Sequence, residues 1–172
     1  MQVVLYRGHL PCDVLFIGEA PGDSEDVLGH PFRGPAGERL DALIEDAWNR
    51  VSFPAHQLDL GFTNIVACRP LKADPDELSN GTLRPPTKEE AAWCSPRLGE
   101  IVQMANPKLI VKLGKEAARF TPTFAFIPNC RYINLVHPSA ILRMADDDPS
   151  GAALAEKRFS VNLAAELELL NG

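Results

Sequence analysis

The stretch DVLFIGEAPG, residues 13–22, decides how this chain folds. Val14 to Ile17 form an apolar run too short for a helix, which reads as a strand buried on both faces. Gly18 closes the run, and Glu19-Ala20-Pro21-Gly22 is the loop that leads away from the sheet. Such a strand needs neighbours of its own kind. FTNIVAC (62–68), KLIVKLG (108–114) and RYINLVH (131–137) supply three more short apolar runs. Helical patterns separate them. Leu40, Leu43, Ile44 and Ala47 share one face within 36–48. Thr87-Lys88-Glu89-Glu90 is a capping box that opens a helix running towards Asn106-Pro107. Lys115 to Phe120 is a short helix, and 151–170 a long terminal one with Phe159, Leu163, Leu167 and Leu170 inward.

Strands alternating with helices join by right-handed crossovers and are covered on both faces. The expected fold class is therefore α/β: a three-layer α/β/α arrangement around a central, mostly parallel, four-stranded sheet. A length of 172 residues predicts one domain spanning 1–172. LKADPDELSNGTLRP, between Pro70 and Pro86, predicts a long loop at about 70–86.

The composition, 45% hydrophobic and 23% charged, is that of a globular protein in water. No apolar run reaches the roughly 18 residues of a membrane span, and the amino-terminal residues lack the pattern of a secretion signal. No membrane association and a cytoplasmic location are expected. A net charge of −6 taken alone argues against nucleic acid as a partner. The charge is uneven, however. Residues 12–46 carry nine acids against Arg33 and Arg39, whereas 108–143 carry Lys108, Lys112, Lys115, Arg119, Arg131 and Arg143 against Glu116 alone. That leaves room for one basic surface. Four cysteines at 12, 68, 94 and 130, with no C-x-x-C, argue against a disulfide framework and an ordinary zinc site.

In open α/β sheets ligands bind beyond the carboxyl ends of the strands. Three polar segments fall there: Gly18 to Gly22, Thr63-Asn64 and His137-Pro138-Ser139, the last also readable as a strand exit with Ser139 as helix cap. Together they carry a resemblance. GEAPGDSEDVLGHPFRGPAGERL (18–40), TNIVACRP (63–70), NPKLIVKLGKEAA (106–118) and LVHPSAILR (135–143) resemble, in order, the motif regions of the family 4 uracil-DNA glycosylases.

The resemblance implies an enzyme that flips uracil out of DNA, hydrolyses its N-glycosidic bond and leaves an abasic site, and a monomer is expected. It places Phe32 where a ring stacks on the extruded base, with Gly18, Ala20 and Ser139 completing the binding surface. Asn64 stands at the base reader: an amide accepts from uracil N3–H and donates to O4, whereas cytosine leaves it unpaired at a cost of about 1–3 kcal/mol. His137 stands where a donor meets the charge growing on O2. Glu19 and Glu25 are the acids on the sugar side, Glu25 as water partner and Glu19 as organiser of the pocket. Ala20 stands where family 1 enzymes carry a catalytic Asp, and Gly22 where they carry a Tyr that screens the base. Leu142 matches a DNA-inserting wedge and Arg143 a phosphate contact. The family also carries a [4Fe–4S] cluster on four cysteines. Only Cys68 and Cys94 match ligand positions, so no cofactor and no metal are expected. Two other readings stay open: a glycosylase for a modified pyrimidine, and a catalytically idle binding protein on the same fold.

Overall fold

A computed structural model describes residues 2–71 and 83–171. Its centre is a five-stranded sheet in the order β1-β3-β2-β4-β5, made of β1 (Arg7–Gly8), β2 (Val14–Gly18), β3 (Leu60–Asn64), β4 (Leu109–Leu113) and β5 (Arg131–Leu135). The four longer strands are mutually parallel, as the alternation of strands and helices requires. The fifth corrects the expected count of four. β1 is a two-residue edge strand, antiparallel to β3 through Arg7 opposite Phe62, and is too short to leave a periodic signal.

The helices are α1 (Asp23–Leu28), α2 (Pro35–Trp48), α3 (Lys88–Ala105), α4 (Gly114–Phe120), α5 (Pro138–Asp147) and α6 (Pro149–Glu168). Alternation along β2 assigns its side chains to two cores. Val14 and Phe16 face α2, α5 and α6, where they meet Leu40, Ile44, Ile141, Phe159 and Leu163. Leu15 and Ile17 face α3, where they meet Leu98, Val102 and Ala105. The capping box predicted for α3 forms: Thr87 Oγ1 accepts from the Glu90 amide at 3.2 Å, and Glu90 accepts from the Thr87 amide at 2.8 Å.

Three expectations change. The run 62–68 is a strand only as far as Asn64, because its partner β2 ends opposite, at Gly18; residues 65–67 stay buried outside the ladder. LVHPSAILR is largely helical, since α5 begins at Pro138 and carries Leu142 and Arg143. The cap of that helix is His137, not Ser139. Most of the loop predicted at 70–86 lies outside the described residues; its ends meet in a bridge between Leu71 and Leu83. Among the described residues no helix is long and apolar enough to cross a membrane.

Candidate active site

The chain crosses from β2 to β3 on one side and from β3 to β4 on the other, so the sequence order reverses beside β2. A crevice opens at such a point beyond the strands' carboxyl ends. Here it is a cleft of about 630 Å³, lined by Glu19 and Ala20 after β2, Gly114 and Lys115 after β4, and His137, Ser139 and Arg143 after β5. Leu83, Arg84 and Pro85 form another wall. A separate cavity of about 480 Å³, beside α2 and lined by Trp48, Phe53 and His56, contains none of the predicted residues.

Behind the cleft, Gly18 and Asn64 end adjacent strands in register. A Cβ on Gly18 would lie 2.5 Å from Asn64 Oδ1 and 2.5 Å from the Phe32 ring. Only glycine lets those two groups close over the strand end. Phe32 itself has left-handed backbone, φ 56°, a conformation costly for a bulky residue and concentrated at functional sites. Gly37 makes room for it: a Cβ there would fall 2.0 Å from the Phe32 carbonyl oxygen. The Phe32 ring lies 6.0 Å from Phe62 and 6.3 Å from the imidazole of His137, nearly parallel to the latter at 29°. Phe32 thus links Asn64 to His137, but Asn64 and Phe32 are buried and, unlike His137, do not line the cleft.

The state of His137 follows from its bonds. Its Nδ1 lies 3.1 Å from the Ser139 backbone nitrogen and 2.8 Å from Ser139 Oγ. A backbone N–H can only donate, so Nδ1 is the acceptor and the ring proton sits on Nε2. Burial, with the Arg143 charge second, holds the imidazole down to about 4, so it is neutral at physiological pH. Arg143 also donates to Ser139 Oγ at 3.3 Å, which extends the chain of bonds to the cleft mouth.

The two predicted carboxylates part company. Glu19 lines the cleft, and its carboxyl is raised above the usual range by burial first and by Glu116 second; Lys115 and Arg143 oppose the shift. Glu25 is buried and turned to its own backbone, where it accepts from the Gly22 amide at 3.1 Å and so caps α1. Leu142 is half-buried on α5 and does not line the cleft.

The basic stretch 108–143 does not make one surface. Lys108 pairs with Asp13 at 2.8 Å and Arg131 with Glu166 at 2.8 Å, both at the amino ends of the strands. Lys115 and Arg143 alone among its six cations reach the cleft. Arg84, which sequence reasoning passed over, joins them while held by Glu90 at 2.7 Å. Its only sequence signal was the capping box to which Glu90 belongs.

The cysteines fall into two groups. Cys12 precedes β2 and Cys130 precedes β5, at the amino ends of parallel strands, whereas Cys68 follows β3 at the carboxyl ends. A five-residue strand separates those edges by about 16 Å, and a cluster needs four thiolates on one site. Burial pushes the thiols of Cys12 and Cys130 up to about 11. Cys68 and Cys94 share the neighbourhood of the Arg97 guanidinium instead. The four cysteines of this chain therefore do not fit a [4Fe–4S] cluster. Among the described residues no group of three or more His, Cys, Asp or Glu is placed to hold a metal ion.

Comparison with known proteins gives a consistent picture. The family model described as the uracil DNA glycosylase superfamily matches residues 7–160. A Type-4 uracil-DNA glycosylase of Thermotoga maritima is 36% identical over 119 residues, covering 69% of this chain and 54% of the relative. Its counterpart in Saccharolobus solfataricus is 34% identical over 114 residues, covering 66% and 46%. The chain spans about half the length of the curated relatives it matches. In three dimensions it is similar to a Methanosarcina acetivorans protein solved by solution NMR as a candidate uracil DNA glycosylase, with a TM-score of 0.55 at 10% identity over 99% of this chain and 98% of that one. At that identity the likeness concerns the fold alone.

Proposed function

This chain belongs to the uracil DNA glycosylase superfamily, and we propose that it removes uracil from DNA by extruding the nucleotide into the cleft and hydrolysing its N-glycosidic bond. The observation that carries the reading is the neutral imidazole of His137, with its proton on Nε2, in the same cleft as the Glu19 carboxylate. Cleavage sends the electron pair of the N1–C1′ bond to the base, so negative charge grows on O2 while the sugar becomes oxocarbenium-like. A fixed N–H donor at O2 is stronger in the transition state than in the ground state, which accelerates the step. The donor is ready without prior protonation.

Asn64 reads the N3–H and O4 edge, and Phe32 supports the base from the buried side. Of the two acids, the geometry favours Glu19 for the sugar and its water, since Glu25 is already engaged with Gly22. The carboxylate stabilises the cationic sugar and orients a water whose oxygen bonds C1′, its proton passing to the carboxylate or to solvent. Lys115, Arg143 and Arg84 supply phosphate contacts at the mouth, with Leu142 on α5 as the wedge. The space beside Gly22 is taken up: a Cβ there would meet Glu25 Oε2 at 2.8 Å. The enzyme acts as a monomer in the cytoplasm.

The test is base release from labelled oligonucleotides carrying uracil, thymine or 5-hydroxymethyluracil, followed by alkaline cleavage at the abasic site. Uracil should be released with wild-type protein, and about 10²–10³-fold more slowly with His137→Ala, the usual loss for one transition-state donor. No release from any substrate would refute an enzymatic reading, and preference for 5-hydroxymethyluracil would move the substrate to modified pyrimidines.

A further inference from the structure

We infer that Arg97 is a positioning residue for base recognition, holding the end of β3 and with it the Asn64 amide that lies behind the cleft; this rests on the glycosylase reading above. The register between β2 and β3 ends at Gly18 and Asn64, and the Ile65 and Val66 amides still donate to the Gly18 and Glu19 carbonyls at 2.9 and 3.3 Å, next to the Asn64 and Ile65 carbonyls. Arg97 meets them there. Its Nη2 donates to the Asn64 carbonyl at 2.6 Å and to the Ile65 carbonyl at 3.0 Å, and its Nη1 to Thr63 Oγ1 at 3.3 Å. The Thr63 hydroxyl passes the chain on to the Leu5 carbonyl at 2.7 Å. One side chain on α3 therefore grips three consecutive residues with the reader in the middle. A planar guanidinium fixes the directions of its donors, which an ammonium on a flexible stem does not. The bond to the Asn64 carbonyl fixes the peptide plane that follows Asn64, and the bond to Thr63 Oγ1 holds the side chain of the residue before it.

The electrostatics point the same way. Among the described residues Arg97 has neutral hydrogen-bond partners only, two carbonyls and a hydroxyl, while its Nε is buried without a partner. Burial is the largest influence on the guanidinium and works against its charge, and the thiols of Cys68 and Cys94 flank it. A half-buried cation with no carboxylate among these partners is a poor device for stability. Placement is what this side chain adds.

A double-mutant cycle tests this. Arg97→Met keeps the length of the side chain and removes the fork; Arg97→Lys keeps the charge with a different donor geometry. Each is made in wild-type and Asn64→Ala backgrounds, and single-turnover release of uracil is measured beside far-UV circular dichroism and melting. Action through Asn64 predicts a loss of at least tenfold for Arg97→Met in the wild-type background and less than twofold in Asn64→Ala. Arg97→Lys should fall between. Millimolar methylguanidinium should restore part of the activity of Arg97→Ala. Equal losses in both backgrounds, or release within twofold of wild type, would overturn the inference. If Arg97→Met does not fold, the Lys cycle decides by the same criterion. Wild-type protein that releases no uracil would instead refute the glycosylase reading, and this inference with it.

Discussion

Acidification from pH 7 to pH 4 should weaken this fold through a single imidazole. His137 is held from its ordinary 6.5 down to about 4, chiefly by burial. Between those values the unfolded chain binds a proton that the folded chain refuses, so stability falls as pH falls. The contribution is whole above pH 6.5, shrinks through the interval and is gone near pH 4. The gap from 6.5 to about 4, at about 1.4 kcal/mol per pH unit, comes to about 3 kcal/mol. Urea unfolding at pH 7, 6, 5 and 4 measures it, with His137→Asn as the reference. Asparagine keeps a side-chain oxygen to accept from the Ser139 amide, so the cap of α5 survives while the titration disappears. Other groups titrate in both proteins and cancel in the difference. The wild type should lose about 3 kcal/mol more than the variant across this range. Parallel stability curves would mean that the imidazole titrates as in water, and the argument for a permanently neutral donor would fall with that result.

Glu19→Gln should slow single-turnover uracil release by at least tenfold with little change in melting. Glu25→Ala should do the reverse, costing about 1 kcal/mol of stability as the cap of α1 is lost; a larger catalytic loss from Glu25 than from Glu19 would restore Glu25 as the water partner. Asn64→Asp should lower uracil release and bring in measurable cytosine release, because an ionised carboxylate only accepts; unchanged rates on both bases would remove Asn64 from the pocket. DNA affinity should weaken with salt despite the net charge of −6. Lys115→Ala and Arg143→Ala should each reduce the log–log slope by about 0.9, whereas Lys108→Ala should leave it alone. A slope that responds to Lys108 would place the DNA on the opposite edge of the sheet.

Periodicity was enough to find the four parallel strands, because residues such as Val14 to Ile17 and Leu109 to Val111 are buried on both faces and nothing but apolar side chains suits such positions. It was enough for α3, whose cap is a local feature, and for the inward face of α6, though not for the Asp148 cap that opens it. The motif order placed Gly18, Asn64 and His137 at strand ends, hence at one edge of the sheet. Local patterns could not say where a carboxylate turns. Glu19 and Glu25 sit six residues apart, yet one lines the cleft and the other caps its own helix. Nor could they show that Lys108 and Arg131 are spent on Asp13 and Glu166, or that Arg97 reaches back 33 residues to the carbonyl of Asn64. Burial and secondary structure follow from the character of neighbouring residues, so a single sequence records them. Side-chain direction and pairing depend on which distant element fills the remaining space, and only the folded packing of β3, α3 and α5 around β2 decided that.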